Sequence, residues 1–371
     1  MTGPARTLIL CLALVLGLAA QERFLDAPRP AQDGPRLVVF NPTVYNIRCL
    51  AALRDRGLLD VPGLTVVGVY HVTQKEDFGA ARTFAGEHGY GWMKFHAVAA
   101  PLAEAELFRR NACTPEFEAV AGKSDGAVFF GGPDIPAAIF HQKTNFLSEV
   151  DDPHRNRLEL SAIFHLLGGS QDPRAVPLLA ARPGFAVLGI CLGFQSLNVG
   201  TGGELVQDIW TGVYGAASLE DAVALGPEQW HNNPYKRLLP QEKLMSYNFH
   251  TLQFRTGRFL AEAGFGAGDH PRVLSSHHQA VTKVAEGWTV LAESRDGRIV
   301  EAMEHKRFPN VLGVQFHPEH HLLWDPEPRF RQRPEDVPTS YNAILAGTPR
   351  SLEFNKAVWG WLGGKLRASR K

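Results

Sequence analysis

The stretch that decides the fold is "VLGICLGFQ", Val187–Gln195. It closes an apolar run that begins at Gly184, and continuous apolar runs of this length are typical of strands buried on both faces of a sheet. The run ends in "GICLG" at 189–193, after which the pattern becomes helical. A strand, a glycine–x–nucleophile–x–glycine turn and a helix form a nucleophile elbow, in which a strained turn lifts the nucleophile above the sheet edge and the glycines leave room for backbone and substrate. Cys191 is therefore the candidate nucleophile, and the helix N-terminus would favour its thiolate.

Strand-like and helix-like segments alternate along the first half of the chain. Further apolar runs occupy 36–42, 64–72 and 125–132, and helical spacing covers 44–58, 102–121 and 155–167. This alternation predicts an α/β fold with an open, mostly parallel, doubly wound sheet flanked by helices. From Val273 onward β-like stretches return, and Asp296-Gly297 between two of them predicts a hairpin, so we expect an antiparallel β extension. The stretch around 210–272 shows no steady period and is interpreted as an insertion.

The N-terminus has the order of regions of an export signal. Arg6 precedes an apolar run over 7–18, and small residues at 17–20 offer a cleavage site. The run is shorter than the roughly 20 residues of a membrane-spanning helix, and an uncleaved anchor is the alternative. We expect a signal peptide at 1–20, a linker at 21–35 and one domain at 36–371, exported to the periplasm or secreted and not attached to the membrane after cleavage.

The composition limits the choice of partners. The chain is 44% hydrophobic and 20% charged, and 38 basic and 38 acidic residues give a formal net charge of zero. That balance offers no support for nucleic acid or an anionic membrane as a partner.

Removal of the predicted signal leaves Cys49, Cys113 and Cys191, an odd number, so at least one thiol is unpaired within the chain. Cys191 alone could still be a nucleophile, half of a disulfide or a small buried thiol.

A base for Cys191 is offered by "GVQFHPEHH", Gly313–His321. A cysteine nucleophile needs a base and the base needs an acceptor that orients it, and Glu319 lies two residues beyond His317 across a proline that bends the chain. A solvated loop histidine is the alternative. A zinc site using the two following histidines is disfavoured because the H-x-x-E-H and H-E-x-x-H spacings are absent and the proline opposes the helix they need. We expect no metal and no cofactor.

The run "FGGPD" at 130–134 ends another predicted strand. Two glycines at a strand end expose backbone N–H groups, and the tetrahedral intermediate of acyl transfer needs preorganised donors for its oxyanion. We predict that the N–H groups of Gly132 and Leu192 form this oxyanion hole. A plain β-turn explains the run by itself equally well.

Together these segments resemble the class I glutamine amidotransferase domains, whose triad is matched by Cys191, His317 and Glu319. More narrowly, the chain resembles the gamma-glutamyl hydrolase family of cysteine peptidases (peptidase C26), including stand-alone gamma-glutamyl-gamma-aminobutyrate hydrolases. The motifs that carry the resemblance are "GGPD" at 131–134, "GICLGFQSLNVGTGGELVQD" at 189–208, "SSHHQAV" at 275–281 and "GVQFHPE" at 313–319. Their order and spacing, over roughly 125–321, are more specific than any single motif.

The resemblance implies a single glutamine amidotransferase-like, flavodoxin-like hydrolase domain. It implies cleavage of the gamma-glutamyl amide of a small molecule through a gamma-glutamyl thioester on Cys191, without a cofactor. It also implies that Gln195, His277 and His278 lie near the bound glutamyl group. For these residues a solvent-facing helix position for Gln195 and a structural role for one histidine remain open, because neighbours on a strand face opposite ways.

Several features leave the substrate open. The family's bacterial hydrolases are commonly cytoplasmic, their elbow often has arginine where this chain has Leu192, and the stretch 210–272, with "EQWHNNPYKRLLPQ", is longer than expected. Arg155 and Glu159 match a family pattern that an intrahelical ion pair explains as well.

Three functions are alternatives to a small-molecule gamma-glutamyl hydrolase. They are a glutaminase subunit that supplies ammonia to a partner synthase, a catalytically silent binding protein of the same fold, and a folate poly-gamma-glutamate hydrolase. The oligomeric state is not predicted. A triad role requires a free Cys191, whereas the other two cysteines either pair or stay as buried thiols.

Overall fold

The computed structural model describes residues 22–369, and its main feature is a ten-stranded sheet. The strands are β1 Arg36–Phe40, β2 Thr65–His71, β3 Met93–Val98, β4 Gly126–Phe129, β5 Ala186–Ile190, β6 Glu204–Val206, β7 Asn248–Phe254, β8 Arg272–Ser275, β9 Ala280–Lys283, β10 Trp288–Ser294, β11 Val300–His305 and β12 Val311–Val314. The sheet order is β3-β2-β1-β4-β5-β12-β11-β10-β7-β8, and β6 pairs separately with β9. Strands from β3 to β12 are parallel and those from β12 to β8 are antiparallel. The predicted fold class, with its antiparallel extension, is confirmed.

Helices cover both faces of this sheet. They are α1 Val44–Asp55, α2 Phe78–Glu87, α3 Thr114–Lys123, α4 Pro153–Leu167, α5 Leu192–Gly200, α6 Ile209–Gly212, α7 Leu219–Leu225, α8 Pro234–Leu238, α9 Arg258–Glu262, α10 Tyr341–Ala346 and α11 Ser351–Ala368. Successive residues of β1 enter opposite faces, as the strand period requires. Val38 and Phe40 pack with α3, α4 and α5, whereas Leu37 and Val39 pack with α1, α2 and α11. The continuous apolar runs in the sequence reflect burial on both faces.

The topology brings three strand ends together. Strands β4, β5 and β12 are parallel neighbours, with Phe129 opposite Gly189 and Val314 opposite Ile190. The carboxyl ends of parallel strands meet at one edge of the sheet, and the segments that follow them lie side by side. Those segments are the 130–134 run, the elbow at Cys191 and the turn that carries the candidate base.

Two elements differ from their prediction. The helix predicted over 102–121 begins only at Thr114, because Pro115 is tolerated in the first turn of a helix but not in its interior. The stretch 210–272 is not wholly an insertion: it contains β7, which pairs with β8 and β10 inside the main sheet. The predicted hairpin is present, since β10 and β11 pair antiparallel across the Asp296-Gly297 turn.

The N-terminal segment is only partly described. The predicted signal peptide at 1–20 lies outside the described residues. The described part of the predicted linker is packed on the domain, with Leu25 fully buried, Arg23 Nη1 2.7 Å from Glu116 Oε1, and the Ala97 N–H donating to Glu22 O. Within 22–369 the structure has no helix that is long and apolar enough to cross a membrane.

Candidate active site

Cys191 occupies a strained turn between β5 and α5. Its backbone angles are φ +52° and ψ −106°, in the left-handed region that non-glycine residues avoid at a cost of about 1–3 kcal/mol. Its N–H donates to Val314 O at 2.9 Å, which ties the elbow to the end of β12. The side chain is 5% exposed and lines a cavity. The strand–turn–helix geometry predicted from "GICLG" is present.

The elbow glycines also have a packing role, which is not evident from the sequence pattern. A Cβ on Gly193 would lie 2.0 Å from Phe129 O, and one on Gly189 would lie 2.5 Å from Leu197 Cδ1. Real Cβ atoms do not approach other atoms so closely, so both positions require glycine for α5 to rest directly on β4 and β5. The sequence pattern predicts that this space serves the turn and the substrate, whereas in the structure it allows helix–strand contact.

His317 and Glu319 follow β12 and form a hydrogen-bonded pair. His317 Nδ1 lies 2.7 Å from Glu319 Oε1. The turn is held by the His317 N–H, which donates to Leu274 O at 2.8 Å, and by Trp359 Nε1, which donates to Pro318 O at 3.0 Å. Burial alone would lower the pKa of His317, but the negative charge of Glu319 and the adjacent Cys191 outweigh it and hold the pKa well above its usual value. His317 is therefore a proton donor over a wide pH range.

The cavity beside Cys191 has a volume of about 290 Å³. Its lining residues are Tyr45, Asn46, Gly131, Gly132, Cys191, Tyr247, Ser276, His317 and Glu319. A Cβ on Gly131 would lie 2.9 Å from His317 Cε1 and 3.4 Å from Cys191 Cβ, so base, nucleophile and loop enclose one small space. The structure thus brings together the three predicted triad residues and Gly132. Leu192, the other predicted oxyanion donor, begins α5, where backbone N–H groups have no acceptor within the helix.

Four residues that line the cavity are not predicted from the sequence. Tyr247 presents its ring edge-on to His317, with ring centroids 5.5 Å apart. Tyr247 lies just before β7 and Ser276 just after β8, in segments whose place in the sheet the sequence pattern does not predict. Tyr45 and Asn46 lie in the first turn of α1. A signal for Ser276 was its position next to the H-H-Q motif.

Arg155 supports the loop after β4. Its Nη2 donates to the carbonyl oxygens of Phe130 (2.9 Å) and Gly131 (3.0 Å), and its Nε donates to Glu159 Oε1 at 2.8 Å. Because a trans peptide points its N–H opposite to its C=O, holding the Gly131 carbonyl toward Arg155 turns the Gly132 N–H to the other side. The Gly132 N–H therefore points away from Arg155, as an oxyanion donor at this position would have to. Arg155 and Glu159 are thus more than an intrahelical ion pair.

We expect Gly132→Ala to lower kcat by about 10²–10³-fold, the typical cost of losing one oxyanion donor. A Cβ at this position would lie 1.9 Å from Arg155 Nη1, so the guanidinium must move and release the two loop carbonyls. The matched control is Gly122→Ala in α3, whose added Cβ meets no heavy atom within 4 Å. Steady-state kinetics on both variants check this, and a Gly132→Ala enzyme with wild-type kcat would contradict it.

The three residues that the resemblance assigns to substrate binding do not line the cavity. Gln195 is buried, and its Nε2 donates to Gln279 O at 3.2 Å and to Gln315 Oε1 at 3.3 Å. His277 points into a separate buried cluster of histidines. His278 Nε2 lies 3.0 Å from Asp134 Oδ2 and its Nδ1 lies 3.4 Å from Asp208 Oδ2. None of the H-H-Q residues 277–279 lines the cavity, whereas the adjacent Ser276 does.

His278 clamps the 130–134 loop through Asp134. Burial opposes its charge, but hydrogen bonds to Asp134 and Asp208 and their negative charges raise its pKa to about 9. Because the folded-state pKa lies above the ordinary value near 6.5, the protonated His278 adds to the free energy of unfolding, by on the order of 3 kcal/mol at most. That stabilisation is complete below the ordinary pKa and is lost as the pH rises through about 9.

We therefore expect the Tm of the wild type to fall between pH 7 and pH 10 by more than that of His278→Gln, because the variant has no imidazolium to lose. Thermal unfolding at several pH values measures the difference. His88→Gln, which changes an exposed histidine, serves as the control and should follow the wild type. Parallel curves for wild type and His278→Gln would count against the clamp.

All three described cysteines are free. Burial raises the pKa of Cys49 to about 12 and that of Cys113 to about 11, so both remain neutral thiols in the core. Their side chains belong to the hydrophobic interior, while Cys191 borders the cavity. The structure thus contains no pairing between Cys49 and Cys113, and Cys191 is not in a disulfide.

Comparison with known proteins locates the chain among glutamine amidotransferase-like sequences. A family model described as Peptidase C26 matches residues 109–319. A protein of Lactococcus lactis named as glutamine amidotransferase-like is 29% identical over 203 residues, 55% of this chain and 68% of that protein. A protein of Mycobacterium tuberculosis named as a glutamine amidotransferase is 33% identical over 195 residues, 53% of this chain and 50% of that protein. One subunit of the glutamine-hydrolysing GMP synthase of Methanocaldococcus jannaschii is 31% identical over 141 residues, 38% of this chain and 54% of its own length.

Proposed function

The chain belongs to the peptidase C26 family, and on that premise we propose that it is a cysteine-dependent hydrolase that cleaves the gamma-glutamyl amide of a small molecule. One observation carries the proposal: Cys191, the hydrogen-bonded pair His317–Glu319 and the glycine loop line a single cavity. The carbonyl oxygens of that loop are held by Arg155. These are the parts that acyl transfer through a thioester requires.

In the proposed reaction the Cys191 thiolate attacks the delta carbonyl carbon, and the C=O π electrons move to the oxygen. The N–H groups of Leu192 and Gly132 stabilise this oxyanion. As the intermediate collapses, the C–N bond breaks and His317 gives its proton to the departing amine. The neutral imidazole then takes a proton from water, whose oxygen attacks the thioester, and glutamate leaves while the thiolate is restored. Glu319 holds the tautomer in which Nε2 faces the reaction and stabilises the charged ring.

The cavity suits a glutamyl group in size and polarity. Its volume of about 290 Å³ is at the lower limit of ligand pockets. The lining outside the triad carries no formal charge, and its polar residues are Asn46, Ser276, Tyr45 and Tyr247. Such groups can hydrogen-bond the amino and carboxylate ends of a glutamyl substrate without favouring one charge. This supports a small gamma-glutamyl substrate over a polymeric one.

A panel of substrates tests the proposal. The enzyme is assayed for glutamate release from gamma-glutamyl-aminobutyrate, glutamine, a gamma-glutamyl dipeptide and folyl poly-gamma-glutamate. We expect kcat/KM to be highest for one of the small gamma-glutamyl amides. Release from none of them would overturn the proposal. Preference for folyl polyglutamate would overturn the small-substrate part alone.

Glutamine hydrolysis for a partner synthase is the second candidate. It is favoured by the similarity to one subunit of a GMP synthase whose name describes glutamine hydrolysis. Glutamine turnover that is slow for the isolated protein and rises sharply when a synthase partner is added would select this candidate.

A third experiment separates both enzyme candidates from a silent binding protein. A diazoketone analogue of glutamine should modify Cys191 stoichiometrically in an enzyme. An unmodified thiol would favour the silent binding protein.

A further inference from the structure

Three histidines and one glutamate meet in the interior, outside the cavity that Cys191 lines. His231 follows the short 3-10 turn Pro227–Gln229, His250 lies in β7, His277 follows β8, and Glu301 lies in β11. Three of the four residues are fully buried, and His277 is 4% exposed. One ligand atom from each lies within 4.8 Å of all the others.

The spacing of these atoms is that of metal ligands. Glu301 Oε1 lies 3.2 Å from His231 Nδ1, 3.4 Å from His250 Nε2 and 3.6 Å from His277 Nε2. None of these contacts is a well-aligned hydrogen bond, and the four atoms have no other partner among the described residues. Around a tetrahedral Zn²⁺ with bonds of about 2.0–2.1 Å, neighbouring ligand atoms are separated by about 3.3–3.4 Å. The three distances from Glu301 Oε1 to the nitrogens are close to this separation, and all four ligand atoms lie within 4.8 Å of one another, so one cation can be reached by all four.

The burial of these groups agrees with this arrangement. A buried carboxylate among buried imidazoles that lack well-aligned hydrogen bonds is costly, since buried polar groups are normally hydrogen-bonded and buried charges paired. A divalent cation satisfies all four groups at once.

The surroundings orient two of the ligands. His277 Nδ1 lies 2.9 Å from Gln279 O and donates to it, which leaves the Nε2 lone pair facing Glu301, and metal-bound histidines are commonly oriented in this way. His231 has a left-handed backbone, with φ +53°. Its carbonyl accepts from the His277 N–H at 3.0 Å and from Ser275 Oγ at 2.8 Å, which holds the strained residue with its ring toward the cluster.

A second group of metal-ligating residues provides a contrast. Asp26, His96 and Glu116 also lie close together. There His96 Nδ1 accepts from the Leu25 N–H at 3.2 Å, and its Nε2 lies 2.9 Å from Glu116 Oε2. Arg23 completes the pairing by donating to both carboxylates. The polar atoms of Asp26, His96 and Glu116 therefore have partners within the protein, whereas those of His231, His250 and Glu301 have none among the described residues.

We infer that His231, His250, His277 and Glu301 bind one Zn²⁺ in a closed, four-coordinate structural site. Three imidazole nitrogens and one carboxylate oxygen suit Zn²⁺, and complete burial leaves no open position of the kind that catalytic zinc keeps. No spacing motif in the sequence predicts this site, because its four ligands come from separate segments of the chain. The inference does not depend on the proposed reaction.

The site joins an otherwise aperiodic segment to the sheet. His231 belongs to the "EQWHNNPYKRLLPQ" stretch, and the other ligands come from β7, the segment after β8 and β11. Ser276, which lines the Cys191 cavity, is adjacent to His277. Zinc would thus fix one wall of the cavity without touching the substrate.

The test measures metal in the full chain, purified without a histidine tag and carrying Cys191→Ala so that the catalytic thiol cannot bind metal. After treatment with a chelator, the protein is titrated with ZnCl₂ alone and its zinc content is read by plasma mass spectrometry. We expect one zinc per chain and a rise in Tm of about 5 °C with zinc at a thousandfold excess over Kd. We also expect Co²⁺ to give the visible absorption of a four-coordinate site. A protein that takes up no zinc would overturn the inference.

Variants locate the zinc. His231→Asn keeps a residue that tolerates left-handed backbone and should remove the bound zinc, as should Glu301→Gln if the first variant does not fold. The control is His165→Gln in α4, a buried histidine that already has Thr114 Oγ1 and Ser161 O as partners. It should retain one zinc per chain. Zinc retained in a folded His231→Asn or Glu301→Gln protein would place the metal elsewhere and overturn the assignment.

Discussion

Cys191→Ala abolishes gamma-glutamyl amide hydrolysis and leaves the fold intact: this is the largest effect that we expect. The loss in kcat/KM should be about 10⁵-fold or more, because removing a nucleophile removes the covalent path. The fold should survive because the side chain borders a cavity and supplies no hydrogen bond to the elbow, which is held by the backbone contact to Val314. Steady-state kinetics and thermal unfolding of the same preparation measure both parts.

The matched control is Cys113→Ala, which removes a thiol from the core. Cys113 Sγ donates to Ala100 O at 3.3 Å, and Cys113 is not one of the residues that line the cavity. This variant should lose stability and keep its activity, the reverse of Cys191→Ala. Substantial turnover by Cys191→Ala would end the nucleophile assignment.

The second large effect is expected for Glu319→Gln, with a fall in kcat of about 10³–10⁴-fold. Glu319 accepts the Nδ1–H of His317 at 2.7 Å, whereas a glutamine can present its NH₂ group and force the wrong tautomer. The carboxylate also raises the pKa of His317 against the opposing effect of burial. Without this charge the pKa must fall, so the variant loses the protonated acid at a lower pH.

The pH profile distinguishes this role from a merely structural one. Since His317 donates a proton to the leaving amine, activity declines as the pH rises through its pKa. We expect the alkaline limb of kcat/KM to move to lower pH in Glu319→Gln. Glu293→Gln on β10, which changes an ion pair with Arg255 outside the cavity lining, should leave the limb in place. An unmoved limb in Glu319→Gln would contradict the assignment.

The elbow and the pair at 317–319 could be predicted because their evidence is local. A buried strand, a tight turn and a helix follow each other within the residues around Cys191, and parallel strands end at a common edge. The histidine and its carboxylate lie two positions apart, so their hydrogen bond depends on one turn only. Family resemblance added the expectation that the separate motifs meet.

The supporting residues could not be predicted in the same way. Tyr247 lines the cavity from a segment with no period, next to a strand that the sequence pattern did not show. His278 is expected near the substrate, but it bridges Asp134 and Asp208. Gln195 donates its side-chain hydrogen bonds to Gln279 O and Gln315 Oε1. Which partner a polar side chain finds depends on elements far away in the chain, and one residue does not encode that choice.

The amino-acid sequence by itself determined the α/β layers, the nucleophile turn and the spacing of the candidate base and its carboxylate, because each depends on residues near one another in the chain. Only the tertiary structure decided what surrounds them: the Arg155 contact that turns the glycine loop, the Asp134–His278 clamp, and the cluster of His231, His250, His277 and Glu301. Those contacts form between strands that are brought together by burial of the apolar faces of the sheet. Their geometry is therefore a property of the packed fold and of no single segment.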